Sequence, residues 1–180
     1  MNRWLAEFRA ELDGNKLVGH AAVFGQMTEL AGGYEEIAAG AFSEALKGSD
    51  VRALVNHDPS MVLGREAAGT LRLAEDREGL RFEVDLPDTS YASDLRELVR
   101  RGDVTGASFG FIPGKDDYRT APDGKQVRTH TSVARLIDVS PVTFPAYEGA
   151  GVALRHVDFA RVSARAQAAL IRANALRRAV

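Results

Sequence analysis

The chain has no cysteine among its 180 residues. Disulfide frameworks, thiolate zinc sites and thiol nucleophiles are therefore excluded, and the absence suits a reducing compartment. No stretch approaches the roughly 18 apolar residues needed to span a bilayer. The first segment, Met1 to Leu12, carries Arg3, Glu7, Arg9 and Glu11 and so lacks the apolar core of a signal peptide. A formal net charge of -2 gives no global electrostatic reason to expect nucleic acid or an anionic membrane as partner. The four histidines show no HExxH spacing, and no GxxxxGK[ST] loop exists, so neither a metal nor a phosphate-bearing cofactor is expected. These absences leave a cytoplasmic single-domain protein, with 45% apolar and 27% charged residues, ordinary values for a globular chain.

What is present is a succession of short strands. Runs over Trp4 to Leu12 and Lys16 to Phe24 flank Asp13-Gly14-Asn15, a hairpin signal. The pattern weakens from Gly25 to Gly40, where Gly32-Gly33 marks a loop, and Ala41 to Leu46 predicts a short helix. A strand over Val51 to Val55 runs into the polar turn formers Asn56-His57-Asp58-Pro59, which places His57 at a strand end. Further strands are predicted over Val62 to Arg65, Thr70 to Glu75 and Gly79 to Leu86. A helix follows from Asp88-Thr89-Ser90 to about Arg101, with Tyr91, Leu95, Leu98 and Val99 as its apolar face and Gly102 as its stop. Val104 to Ile112 and Val127 to Phe144 are β again, separated by a polar turn around Pro122-Asp123-Gly124. Many strands with two helices, and no repeat or linker before Arg155, predict a mainly β fold of the α+β kind, a barrel or sandwich decorated by helices.

The last segment differs. Arg155 to Val180 holds six arginines and one acid, is rich in alanine, and lacks glycine and proline. Val162, Ala166, Ala169, Ala173, Leu176 and Val180 follow a 4-3-4-3-4 spacing, either a stripe for a partner helix or a solvated helix on its own domain. Residues 1–155 are therefore the expected domain, and 156–180 a basic helix or tail.

Two residues stand out chemically. Ser108 lies in Gly106-Ala107-Ser108-Phe109-Gly110, which has the letters of a GxSxG elbow but runs on into Phe111-Ile112-Pro113 rather than a helix, so an α/β-hydrolase is excluded. Flanking glycines would let a substrate backbone approach and free amide groups for an oxyanion; the plainer alternative is a small strand residue beside a bulge. His57 is a general-base candidate because imidazole titrates near neutrality, or else a turn histidine bonded locally.

Seven short motifs occur in order: Gly40-Ala41-Phe42, Asn56-His57-Asp58, Leu63-Gly64-Arg65, Gly79-Leu80-Arg81-Phe82, Arg101-Gly102-Asp103-Val104, Ser108-Phe109-Gly110-Phe111, and Val139-Ser140-Pro141-Val142-Thr143-Phe144-Pro145-Ala146-Tyr147. The series resembles the prohead maturation proteases of tailed bacteriophages and prophages, across nearly the whole predicted domain. The resemblance implies a closed β-barrel wrapped by helices, similar to the herpesvirus assemblins. It implies a serine endopeptidase, without cofactor or metal, that trims the major capsid protein and scaffold segments inside the procapsid in the host cytoplasm. The alternative is a non-catalytic capsid-assembly module that keeps the protease fold. Further copies of the chain are expected partners, a dimer among the forms; nucleic acid and membrane are not.

By the same resemblance the family's histidine falls on His57 and its serine on Ser108. Its frequent acid before Val-Ser-Pro-Val-Thr falls on Asp138, the preferred third member of a triad that would orient the imidazole. The assemblins use a second histidine there, which makes His130 the competitor. Asp58 is a poorer choice, since neighbours on an extended chain point apart. His20 and His156 are expected to be surface or packing residues, and the oxyanion donors backbone amides near Ser108. The alanine-rich tail offers small-residue sites for self-cleavage.

Overall fold

The computed structural model describes residues 10–13, 15–30 and 32–145. The predicted 156–180 tail, its helical stripe and His156 lie outside the described residues. Among those described, twelve strands build three four-stranded sheets.

The first sheet opens with the expected hairpin, β1 (Ala10–Asp13) and β2 (Lys16–Val23), in which Asp13 faces Lys16. β2 pairs antiparallel with β8 (Gly79–Asp85), and β7 (Leu71–Glu75) completes the order β1-β2-β8-β7. The period-2 alternation read from the sequence is realised here: Leu80, Phe82 and Val84 are fully buried while Arg81 is exposed.

Charged cross-strand pairs hold β8 to its neighbours. Glu83 accepts bonds from Lys16 on β2 and Arg72 on β7, which hold its carboxyl down at about 2. At Asp76, in the β7–β8 turn, burial pushes the carboxyl up, but the Gly79 amide, His20 and the Glu78 amide outweigh it and hold it at about 2. Both groups are ionised more readily folded than unfolded. The stability they contribute is therefore complete above their ordinary values of 4.5 and 3.8 and is lost as pH falls towards 2. The thermal midpoint should fall as pH drops below about 4.5, and Glu83→Gln should flatten part of that slope; a midpoint constant down to pH 2 would refute the linkage.

The second sheet, β10-β11-β4-β3, joins β3 (Thr28–Leu30), β4 (Gly33–Ile37), β10 (Asp116–Thr120) and β11 (Gln126–His130), with β11 and β4 parallel. In the sequence most of it reads as loop and polar turn. The third sheet contains β5 (Arg52–Val55), β6 (Asp58–Arg65), β9 (Gly106–Pro113) and β12 (Val133–Val142) in the order β6-β5-β12-β9. β12 is central, parallel to β5 and antiparallel to β9. Pro59, a turn former in the sequence, instead sits in β6, an edge strand, at a position outside the register with β5, where proline's missing N–H is tolerated.

The expected closed barrel is not found. Closure needs one continuous ladder in which every strand is paired on both sides. Here the ladders stop at β1, β7, β10, β3, β6 and β9, and the single bridge from Phe24 to Ile37 is too short to extend one. The mainly β, α+β class stands. Its helices are α1 (Ala45–Gly48), shorter and later than predicted, and α2 (Ser90–Arg101), which ends at Gly102 in the left-handed conformation, as the sequence predicts. Ala92 and Leu95 form the buried stripe of α2, whereas Leu98 is 39% exposed.

One apolar cluster runs through all three sheets, with Leu17, Phe82, Ile37, Phe42, Phe109 and Leu136 among its members. On β9 the odd-numbered side chains feed it: the Phe109 ring meets Phe42 edge-on at 5.4 Å and Phe111 at 5.0 Å. The even-numbered residues Ser108 and Gly110 therefore face the other side of the sheet.

Candidate active site

The site is built on the even face of the β9–β12 ladder. Register pairs Ser108 with Ser140 and Gly110 with Asp138, so two serines, a glycine and a carboxylate share one patch. Residues directly opposite in an antiparallel pair project to the same side, with Cβ atoms about 5 Å apart and diagonal neighbours about 7–8 Å apart. Ser108 and Asp138 are such a diagonal pair. Ser108, Asp138 and Ser140 are all buried.

Gly110 gives the carboxylate its room. A Cβ at that position would overlap Oδ1 of Asp138, so any other residue would force the acid aside. Gly106, at the other end of the patch, is held to glycine by Pro145, whose Cγ would lie 2.8 Å from an added Cβ. Both flanking glycines thus answer to close packing across the ladder.

His57 reaches the patch from a neighbouring hairpin. Asn56 (φ 49) and His57 (φ 59) form the two-residue loop between β5 and β6, both in the left-handed region. That is the geometry of a type I′ turn, whose twist matches that of the strands. Asn tolerates it, but at His57 it costs about 1–2 kcal/mol relative to a right-handed conformer. Two bonds fasten the loop to the end of β12: the Asn56 amide donates to the Pro141 carbonyl (3.0 Å), and the Thr143 amide donates to Asn56 Oδ1 (2.9 Å). Held there, His57 Nδ1 lies 2.6 Å from Asp138 Oδ2, and the imidazole remains 25% exposed while the carboxylate is buried. With Asp138 ionised, Nδ1 carries the proton and donates, leaving Nε2 as the basic nitrogen.

The other sequence candidates are placed elsewhere. Asp58 turns away from His57; its Oδ1 accepts the Ser60 hydroxyl (2.6 Å) and amide (2.8 Å), which hold its carboxyl below the ordinary range. His130 is buried in the second sheet, with Nδ1 2.7 Å from Asp116 and Nε2 3.3 Å from Glu35. Its ring meets Phe111 edge-on, on the face of β9 opposite Ser108. His20 pairs with Asp76 at 2.7 Å. Among the described residues no group of three or more His, Asp or Glu side chains is arranged to hold a metal ion, and no helix is long and apolar enough to cross a membrane.

Sequence reasoning missed Ser140, whose hydroxyl donates to Asp138 Oδ2 at 2.6 Å, and the spatial role of Gly110. The signal was present as Asp-x-Ser on β12 facing Ser-x-Gly on β9, but it required the pairing register to be read.

No solved structure matches the chain, and the likeness to the herpesvirus assemblins is therefore not shown. The prohead protease of Enterobacteria phage HK97 is 37% identical over 145 residues, a match spanning 78% of this chain and 60% of that protein. The chain thus aligns with about three-fifths of that relative's length. The model of the caudovirus prohead serine protease family matches residues 6–165, which include the strand ladder, the strained histidine turn and the buried acid. On that match the chain belongs to the caudovirus prohead serine proteases.

Proposed function

We propose that the chain is a serine endopeptidase that cleaves capsid and scaffold polypeptides during procapsid maturation, with Ser108 as nucleophile, His57 as general base and Asp138 as the acid that orients it. The observation that carries this reading is the 2.6 Å bond between His57 Nδ1 and a buried Asp138 on the same face of the ladder as Ser108. The diagonal between Ser108 and Asp138 is the gap that the imidazole bridges in this reading, with a hydrogen bond at each nitrogen. His57 Nε2 takes the Ser108 proton as Oγ attacks the scissile carbonyl, then returns it to the leaving amine; water resolves the acyl-enzyme by the same route. Asp138 fixes the tautomer and stabilises the imidazolium without itself taking the proton. Backbone amides near Ser108 serve the oxyanion.

The left-handed conformation of His57 is what the I′ turn requires whatever the function; what favours catalysis over the non-catalytic assembly module is that the turn carries the imidazole to a buried carboxylate on the face of the ladder that bears Ser108. The substrates are the major capsid protein and its scaffold segment, met inside the procapsid, with self-association of the chain and self-cleavage of its tail as further parts of the reading. The test is co-expression with the cognate major capsid protein, followed by intact mass, for wild type and Ser108→Ala. Shortened capsid protein with wild type alone supports the reading, and uncut capsid protein with both sinks it.

Gly110→Ala probes the geometry from the opposite strand. The added methyl must push Asp138 off His57, and displacements of about 1 Å at such sites cost about 100-fold. A fall of that size in kcat, with the far-ultraviolet spectrum unchanged, is expected; wild-type turnover would mean that Asp138 needs no such room.

A further inference from the structure

We propose that Ser140 is a positioning residue for the Asp138–His57 pair, resting on the catalytic reading given above. Asp138 Oδ2 takes two short bonds at once, from His57 Nδ1 (2.6 Å) and from Ser140 Oγ (2.6 Å). A carboxylate oxygen has two lone pairs, so Oδ2 is filled, while Oδ1 lies in the space that Gly110 leaves empty. The carboxylate is thereby held on every side: the imidazole and a hydroxyl at one oxygen, the β9 backbone at the other.

Ser140 reaches Asp138 because residues i and i+2 of a strand share a face. Its own exposure is 0%, so no water replaces the hydroxyl if it is removed. A fully buried hydroxyl is costly unless bonded, and here its proton goes to the one acid that orients His57. Ser140 is also the direct cross-strand partner of Ser108. It therefore sits beneath the gap that the imidazole spans, where it stops the carboxylate from rotating about χ2 and letting the ring swing away from the nucleophile. It touches neither substrate nor reacting atoms, and acts through Asp138.

The sign of its effect on pH follows from the bond. A donor to the ionised carboxylate favours the unprotonated form of the acid–histidine pair taken as a unit. Without it the pair holds its proton to higher pH, so the acidic limb of the kcat/KM profile moves up.

The experiment compares wild type, Ser140→Ala, Ser140→Thr and Ser108→Ala on one peptide or capsid substrate, with active sites counted by a serine-reactive phosphonate. For Ser140→Ala the expected result is a kcat per labelled site lower by about 10-fold, as for loss of a hydrogen bond to a charged group. KM should stay within about twofold, and the acidic limb should move upward. Ser140→Thr, which restores the hydroxyl, should recover the limb position. Wild-type kcat per site and an unmoved limb in Ser140→Ala, with Ser108→Ala inactive, would overturn the role of Ser140 and leave the catalytic reading standing. A loss confined to fewer labelled sites, each turning over normally, would make Ser140 structural and likewise overturn it. Activity retained by Ser108→Ala would sink the catalytic reading and this inference with it.

Discussion

Ser108→Ala is expected to abolish cleavage while leaving the fold unchanged. In the proposed mechanism, removing Oγ deletes the atom that would form the acyl-enzyme, and no neighbouring group replaces it. Cysteine is absent from the chain, and Ser140 is committed to Asp138. The expected loss in kcat is about 10⁴-fold or more, with a residue of activity above water from substrate binding and oxyanion contacts. The fold should tolerate the change, because alanine fits wherever serine does and Ala107 beside it is already buried in the same strand. A thermal midpoint within a few degrees of wild type, together with loss of labelling by a serine-reactive phosphonate, separates lost chemistry from lost structure. Cleavage at the wild-type rate would remove Ser108 from the mechanism, whatever the geometry around it.

The strands that were legible in the sequence are those whose burial is one-sided and apolar. Leu80, Phe82 and Val84 announce β8 by alternation alone, and Gly102 announces the end of α2 by its need for positive φ. The second sheet, β11 apart, was not legible because its strands carry charge on both faces. Tyr34-Glu35-Glu36 and Asp116-Asp117-Tyr118-Arg119 read as solvated loops, yet they are joined across the sheet by Arg128 to Asp116 (2.6 Å), Arg119 to Glu36 (3.0 Å) and Lys125 to Glu29. Such pairs depend on which strands become neighbours, information that hydrophobic periodicity does not hold. The barrel expectation failed for a related reason: short strands are easily counted in a sequence, whereas whether their ladder closes depends on long-range register.

At the candidate site the residue types were legible and their supports were not. His57 at a strand end and Ser108 between glycines follow from local chemistry, and the ordered motifs single out Asp138. The fastening of the Asn56-His57 turn to Pro141 and Thr143 and the pairing of Asp138 with Gly110 arise between segments about 30 to 90 residues apart. They decide where the imidazole points, and the contest between the two candidate third members turns on that orientation.

Asp138→Asn and His130→Asn should accordingly behave in opposite ways. At position 138 the amide keeps the shape but loses the acceptor that holds the Nδ1 proton. If the amide NH₂ faces the ring, Nδ1 must accept, Nε2 then carries the proton, and the histidine no longer takes one from Ser108. A mis-set tautomer of this kind lowers kcat by about 10⁴-fold with little change in KM. On the proposed reading His130 serves the fold instead: it bridges Asp116 and Glu35 inside the second sheet and packs on Phe111, on the other face of β9. Burial pushes the Asp116 carboxyl up, but bonds from Arg128 and His130 outweigh it and hold it below its ordinary value, so removing the ring leaves a buried acid short of one partner. His130→Asn should therefore keep kcat within a few-fold and lower the thermal midpoint by about 2–8 °C. Activity and melting measured side by side on the two variants separate the roles. If His130→Asn instead lost about 10³-fold or more in kcat per labelled site while Asp138→Asn kept its rate, the second histidine would be the orienting member. The His57–Asp138 bond would then be a structural tie beneath a histidine pair.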